Sequence, residues 1–537
     1  MKRVCIIFWI VFIVLTGACN QTPMKETDKL PDKPLSVWPL GITYEIFVQS
    51  FYDSNGDRIG DFNGLTQKLD YLADLGVEAV WLMPIMPSPS YHKYDVTNYI
   101  EVHEDYGTLQ EFKNFVEKAH ERDIKVIIDL VINHTGIGHP WFVKARQKDP
   151  IYRDYYIWSD LDSVAEQINK KEVTGDSDNI LQWHALDEDP EGEHYYGFFW
   201  GGMPDLNFDN PKVREEIYQI GKYWLSEIDV DGFRLDAAKH IYPEERATDN
   251  HNFWKEFRSE MQQVKEDVYL IGEVWAPTEV SAPFTQGLPA LFNFDLAYSI
   301  IGSLKNERSV SAVIAGSSWE LEEGVTLIEG LIRNEAAFRR QNPDFINATF
   351  LSNHDQNRIG SMLGGHQEKI KIAASILFTL PGSPYIYYGE EIGMLGQKPD
   401  PYIREPFLWD IKKEDSGRTT WQRPSYSTDT TLMPLQQQKK DDNSIYAHYK
   451  KLIALRRNSE ILTLGDISEI VTESMGLLAY RRSYHNESLL VIHNLTDTAI
   501  TYPVEGNSYE VIMSAPETIK LDKDGVVIPG YASIVVK

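Results

Sequence analysis

Cysteine is nearly absent. The 537 residues hold only Cys5 and Cys19, and Cys5 falls inside an N-terminal apolar run that reads as removable. A disulfide framework is therefore excluded for the folded body. Basic residues are also scarce: 52 Lys and Arg stand against 80 Asp and Glu, a formal charge of −28. That balance excludes nucleic acid and anionic surfaces as natural partners and leaves a neutral substrate easier to accommodate. The acidity itself reads as a solvated surface. Internal repeats and low-complexity segments are missing too. At 42% apolar and 12% aromatic residues, the chain has material for a large core and more than one domain.

The longest apolar run is short. Lys2 and Arg3 precede residues 4–15, a stretch too brief to span a bilayer and of the length of a signal-peptide core. Leu15-Thr16-Gly17-Ala18-Cys19 then resembles a bacterial lipoprotein processing site, at which Cys19 would be lipidated. Ordinary secretion is the alternative. The expectation is a signal segment at 1–18, a polar, proline-bearing tether at 19–38, and an extracytoplasmic folded body held to a membrane surface only through Cys19.

From residue 39 the pattern alternates. Strands are expected at 42–50, 77–82, 125–132, 230–235, 268–271, 290–294, 348–351 and 384–388, with helices at 65–75, 112–122, 213–226, 253–264 and 369–380. Eight strands joined by crossover helices predict a closed α/β (β/α)8 barrel. Residues 133–204 are rich in Tyr, Trp, His, Asp and Gly with little helical period, and are expected to form a small domain inserted after the third strand. The barrel would thus occupy 39–132 and 205–458. Short alternating runs after the helix at 445–457 predict an antiparallel β-sandwich domain at 459–537.

Active sites of such barrels lie at the carboxyl ends of the strands. Three acids fall there: Asp236 in DGFRLDAAKH, Glu273 in IGEVW and Asp355 in FLSNHDQNR. Cleaving a glycosidic bond needs one carboxylate at the anomeric carbon and one carboxylic acid to protonate the leaving oxygen. Arg234, two residues before Asp236, would hold it ionised, and the apolar neighbours of Glu273 would raise its affinity for a proton.

The blocks DLVINH, GFRLDAAKH, GEVW and FLSNHD resemble, in order, those of α-amylases of glycoside hydrolase family 13. MPDLN (203–207) and GSPYIYYGEE (382–391) resemble two further blocks. The resemblance implies Asp236 as nucleophile, Glu273 as general acid and base and Asp355 as transition-state stabiliser in a retaining mechanism. It places Arg234, His134 and His354 around the sugar at the cleaved bond, Tyr94 stacked on that sugar with His92 beside it, and Asp400 and Arg404 on the next sugar outward. Lys239 and His240 match the pair that α-amylases carry on the leaving-group side. Tyr91 stands where exo-acting relatives often carry aspartate. The expected activity is endo-hydrolysis of α-1,4-glucan by a monomer; α-glucosidase, neopullulanase-like, transglycosylating and non-catalytic glucan-binding readings are the alternatives.

Asp53-Ser-Asn55-Gly-Asp57-Arg-Ile59-Gly-Asp61 places oxygen-bearing side chains at alternate positions with glycines for the turn, as a calcium loop requires. A metal-free Asx turn is the alternative. The family resemblance supports Ca2+ here and adds the backbone carbonyl of Ile59. It also implies a second calcium, using Asn133 and the carbonyl of His240, whose other ligands the sequence leaves unidentified.

Overall fold

The computed structural model describes residues 38–537 except 169–171, 174–177, 317, 412–413, 504–509, 518, 520 and 523–524. The expected signal segment, Cys19 and nearly all of the tether lie outside the described residues. Trp38, at the tether's end, packs its ring 5.0 Å from that of Tyr269.

Eight parallel strands close into a barrel: β1 (Thr43–Ile46), β2 (Ala79–Leu82), β3 (Lys125–Leu130), β4 (Gly232–Leu235), β5 (Tyr269–Gly272), β6 (Ala290–Phe292), β7 (Ile346–Thr349) and β8 (Ser383–Tyr387). Each pairs with its sequence neighbours, and β8 returns to β1. Side chains alternate across the strands, so two cores form. Inside the barrel lie Ala79, Trp81, Ile127, Tyr269, Ile271 and Tyr385. The intervening residues, such as Val80, Ile128, Phe233 and Leu270, pack outward under the helices.

Capping fixes where several of those helices begin. Leu109–His120 and Leu327–Gln341 each open on a reciprocal Thr–Glu box, Thr108 with Glu111 and Thr326 with Glu329, which satisfies backbone N–H groups that have no partner within the helix. Phe62–Leu75 starts at Asp61, whose side chain accepts from Gly64 N, and ends at Gly76 with φ 96°, a left-handed turn that glycine adopts without strain.

Two expectations need correction. The first strand is shorter than 42–50: β1 stops at Ile46, and Val48–Phe51 is a helical turn. All of these residues are buried, so the apolar run carried no period by which to separate strand from helix. Between β6 and β7 the chain builds a helix (Phe294–Asn306), a hairpin (Ser311–Ala315 with Ser318–Glu322) and the helix Leu327–Gln341, none of which was anticipated. Phe294 to Leu304 are all buried, and one residue separates the helix from the end of β6 at Phe292, so the strand expected at 290–294 runs over its start.

After β3 the chain leaves the barrel, forming the helix Pro140–Arg146 and a three-stranded antiparallel sheet in the order Trp158–Ser159, Asp189–Tyr196, Trp183–Leu186. Bridges between His134 and Asp205 and between Tyr156 and Leu206 tie its two ends together. The C-terminal region is antiparallel throughout, a five-stranded sheet with a three-stranded one, and Leu477, Ile492, Val526 and Ile534 share the core between them. Arg482 fastens it to the barrel by donating to the carbonyl of Thr379 at 2.6 Å, while its other nitrogen donates to Gly465 within the same region at 2.7 Å.

Candidate active site

The centre of the site is one guanidinium. Arg234 sits on the inner face of β4, in register with Asp129 of β3, and is 1% exposed. Its Nη1 donates to Asp129 Oδ1 at 3.0 Å, Asp129 Oδ2 at 3.1 Å and Asp236 Oδ1 at 2.6 Å, and its Nη2 lies 2.9 Å from Glu273 Oε2. A planar fork is suited to holding several carboxylates in fixed directions. Ala237, immediately after Asp236, adopts φ 48°. This sharp turn brings its N–H to Glu273 Oε2 at 3.1 Å, so the ends of β4 and β5 are locked together. Burial pushes the Glu273 carboxyl up to about 7, with Asp236 and Asp355 adding to the rise and Arg234 opposing it. Burial likewise raises Asp129 to about 7 against the pull of Arg234.

The third acid is held differently. Burial alone would raise the pKa of Asp355, but His354, its hydrogen bond and Arg404 outweigh burial and keep the carboxyl well below the usual range. His354 Nε2 lies 3.0 Å from Asp355 Oδ2, and Arg404 Nη2 donates to Asp355 Oδ1 at 2.9 Å and to Asp400 Oδ2 at 3.2 Å. Arg404 Nε also donates to the His354 carbonyl at 2.9 Å. Two cations thus face Asp355, whereas Asp236 and Glu273 across the cleft share the single guanidinium of Arg234 with Asp129. One acid retains a proton near neutrality and another stays ionised, which is the division of labour that acid-assisted bond cleavage requires.

Around this centre, the Tyr94 ring stacks on His354 at 5.6 Å and 12°, and its hydroxyl donates to Asp129 Oδ2 at 3.1 Å. His92 Nδ1 accepts from Tyr94 N, and His134 Nε2 lies 3.3 Å from the Tyr94 carbonyl; burial is the main cause lowering both histidines below their ordinary value. On the other side, the His240 ring stacks on Phe198 at 4.0 Å, Phe199 bridges it to His134, and Lys239 Nζ donates to the Trp275 carbonyl at 3.3 Å. Tyr91 stacks on Trp421 at 5.3 Å and 21°, and its hydroxyl accepts from Arg404 at 3.4 Å. The acids, histidines and arginines singled out from the sequence therefore form one constellation. Sequence reasoning passed over Asp129, Glu45 and Asp205. Each is a buried acid in or beside an apolar run, and that contrast was the available signal.

The loop from Asp53 to Asp61 is a separate feature. Asp53 accepts from the N–H groups of Asn55, Gly56 and Arg58, Asp57 from Ile59 N, and Asp61 from Ser54 and Gly64. Among the described residues no three Asp, Glu, His or Cys side chains converge to hold a metal, and as placed these carboxylates close on their own backbone. Asn133 is buried, with Asp205 hydrogen-bonded to it and raised by burial to about 8.

Comparison with known proteins follows the same lines. A family model described as alpha amylase, catalytic domain, matches residues 45–465, and one described as alpha-amylase SusG C-terminal domain matches 477–535. The chain is 44% identical over 497 residues to Alpha-amylase 3 of Dictyoglomus thermophilum, covering 92% of this chain and 93% of that one. It is 37% identical over 482 residues to a 4-alpha-glucanotransferase of Thermotoga neapolitana, covering 88% and 100%. The solved α-amylase of H. orenii is similar in structure with a TM-score of 0.80 at 41% identity, covering 92% of this chain and 99% of that one. Relatives named for both reaction types match this chain, which belongs to the α-amylase catalytic-domain family of glycoside hydrolases and transferases.

Proposed function

We propose that this chain is a retaining α-amylase that cuts internal α-1,4-glucosidic bonds of starch, glycogen or maltodextrins outside the cytoplasm. The carrying observation is that one guanidinium, Arg234, contacts both Asp236 and Glu273; a shared fork suits the separation of roughly 5 to 5.5 Å at which one carboxylate attacks and the other serves as acid. Asp236 attacks the anomeric carbon while Glu273 gives its proton to the leaving oxygen. Glu273 then takes a proton from water, which displaces Asp236 and keeps the original configuration. Asp355, with His354 and Arg404, binds sugar hydroxyls as the ring flattens, and Tyr94 stacks on the ring. Tyr91, packed on Trp421 rather than offering a carboxylate to a chain end, together with Lys239 and His240, supports an open cleft.

A second reading is transfer of the glycosyl group to a sugar, favoured by the similarity to a 4-alpha-glucanotransferase. The test is the product time course from dye-blocked maltoheptaoside, soluble starch and maltotriose, beside Asp236→Asn. Internal cleavage lost in the variant supports the amylase. Products longer than maltotriose move the assignment to a transferase, single glucose units from unblocked ends to a glucosidase, and no turnover to a glucan-binding protein.

Calcium at Asp53, Asn55, Asp57, Ile59 and Asp61 belongs to the same reading as a structural ion that would neutralise the loop. Its support is an all-oxygen donor set in which Asp53, Asp57 and Asp61 form no ion pair among the described residues; its difficulty is that the carboxylates are turned to backbone N–H groups. Asn133 and the His240 carbonyl, with Asp205 beside Asn133, stand as the second location. Calorimetric titration of chelator-stripped protein with Ca2+ decides, since no binding heat and no change in melting temperature would remove the ion from both. Lipid attachment at Cys19 predicts that Cys19→Ala releases the protein from the membrane fraction, and a monomer predicts a single species with the mass of one processed chain by light scattering.

A further inference from the structure

Glu45 lies in the middle of β1, in the run ITYEIF, and is 1% exposed. Its cross-strand neighbours are Trp81 of β2 and Tyr387 of β8. A carboxylate on an inner barrel face is costly unless it meets a cation or hydrogen-bond donors. Here it meets His354: Oε1 lies 2.5 Å from Nδ1. The opposite nitrogen, Nε2, lies 3.0 Å from Asp355 Oδ2 and 2.6 Å from the Tyr94 hydroxyl. Asp355, whose carboxyl is held ionised, can only accept, so Nε2 must carry a hydrogen to meet it. With a carboxylate on Nδ1 as well, both ring nitrogens act as donors, a state that only the imidazolium offers.

The surroundings of His354 favour the same state. The edge of Trp81 from β2 and the face of Tyr94 cover the ring. Arg404, from the loop after β8, is directed to the His354 carbonyl and to Asp355 rather than to the imidazole. Asp129 of β3, itself paired with Arg234, lies behind the Tyr94 hydroxyl. Burial would strip the proton from His354, but Asp355 and Glu45 overcome it and raise the imidazole to about 10.

We propose that Glu45 is a positioning residue of the site, its carboxylate fixing His354 as an imidazolium whose Nε2–H holds Asp355 ionised and oriented. Glu45 lies beneath the imidazole and acts through it. The proposal rests on the reading that Asp355 binds the sugar in the transition state, and it assigns to β1 a part in a constellation otherwise built from other strands and the loops that follow them.

The experiment combines kinetics with histidine NMR on the full chain. In protein with labelled histidine, the His354 resonance is identified among the 14 histidines by its loss in His354→Gln. It should keep the imidazolium shift from pH 5 to 9 in the parent, and titrate inside that window in Glu45→Gln, whose amide keeps the shape and loses the charge. On blocked maltoheptaoside, kcat/KM of Glu45→Gln should fall by about 10- to 100-fold, the usual weight of one charge-assisted buried hydrogen bond, with Glu45→Asp recovering part of the loss. A parent His354 that titrates as an ordinary imidazole overturns the proposal without any variant. So does a Glu45→Gln protein whose His354 titration is unchanged and whose kcat/KM is within twofold of the parent. An inactive parent with a persistently protonated His354 would refute the amylase reading and leave the Glu45 linkage standing.

Discussion

Replacing Arg234 with methionine is the most demanding test of the site. The side chain is 1% exposed and contacts Asp129, Asp236 and Glu273 at 2.6 to 3.1 Å. Methionine fills a similar space and removes the one positive charge that, among the described residues, contacts all three. Breaking a buried ion pair from one side costs about 3–5 kcal/mol, and here three acids are left facing one another. The penalty must depend on pH. Asp129 and Glu273 already titrate near 7 in the folded chain through burial, and without the guanidinium they rise further. An acid with a raised folded pKa binds more protons folded than unfolded, so stability falls as pH rises. The loss should be small below about pH 4, where the acids are protonated in both states, and should grow as pH rises through 7. Urea unfolding of parent and Arg234→Met at pH 4, 6 and 8 measures it. A loss below about 1 kcal/mol at pH 8, the range of an exposed pair, or one independent of pH, would mean that water screens these acids and that the buried fork is not what organises the site.

Other outcomes follow from the same geometry. If Glu273, raised to about 7, is the acid, kcat/KM on unactivated glucan declines above about pH 7; in Glu273→Gln that limb should vanish with an aryl glycoside whose leaving group needs no proton. Gly232→Ala places a Cβ about 2.0 Å from the Tyr269 carbonyl across the β4–β5 pair, so overpacking against backbone should cost at least about 1–3 kcal/mol, read as a lowered urea midpoint. Thr326→Ala removes a capping box and the 2.6 Å bond from its hydroxyl to Glu469; about 1 kcal/mol is expected, and no change would show that the helix start is fixed by packing alone.

The barrel and its acids were legible for a physical reason. Strands buried on both faces read as continuous apolar runs, and polar residues at their carboxyl ends, such as Asp236 after GFRL, interrupt those runs abruptly. The Phe294–Asn306 helix was missed because one residue separates it from β6 and the apolar run reads as strand to 294, and the true end of β1 because residues 41–51 are uniformly buried. Glu45 and Asp129 were missed for the opposite reason. Each is a single charge within a strand, and in YEI and IDL it looks like noise until the register of a closed barrel places it on the inside.

That register explains why the charges lie where they do. Residues of alternate parity point inward, and near the amino ends of the strands these are Ala79, Ile127, Tyr269 and Ala290, which fill the lumen. One pleat period further along come Glu45, Trp81, Asp129 and Arg234, and beyond them the loops carry Asp236, Glu273, His354 and Asp355. Charge therefore begins one layer below the residues that would touch substrate. A catalytic layer resting directly on hydrocarbon would have no counter-charges: Glu273, raised by burial, would simply protonate. The intermediate layer lets one acid keep a proton near neutrality while another stays ionised nearby. Arg234 serves the first side of the cleft, and Glu45 acting through His354 serves the second. Strand residues that never leave the barrel thus contribute to the difference in protonation across the cleft, beside the burial of Glu273 and the loop cations His354 and Arg404.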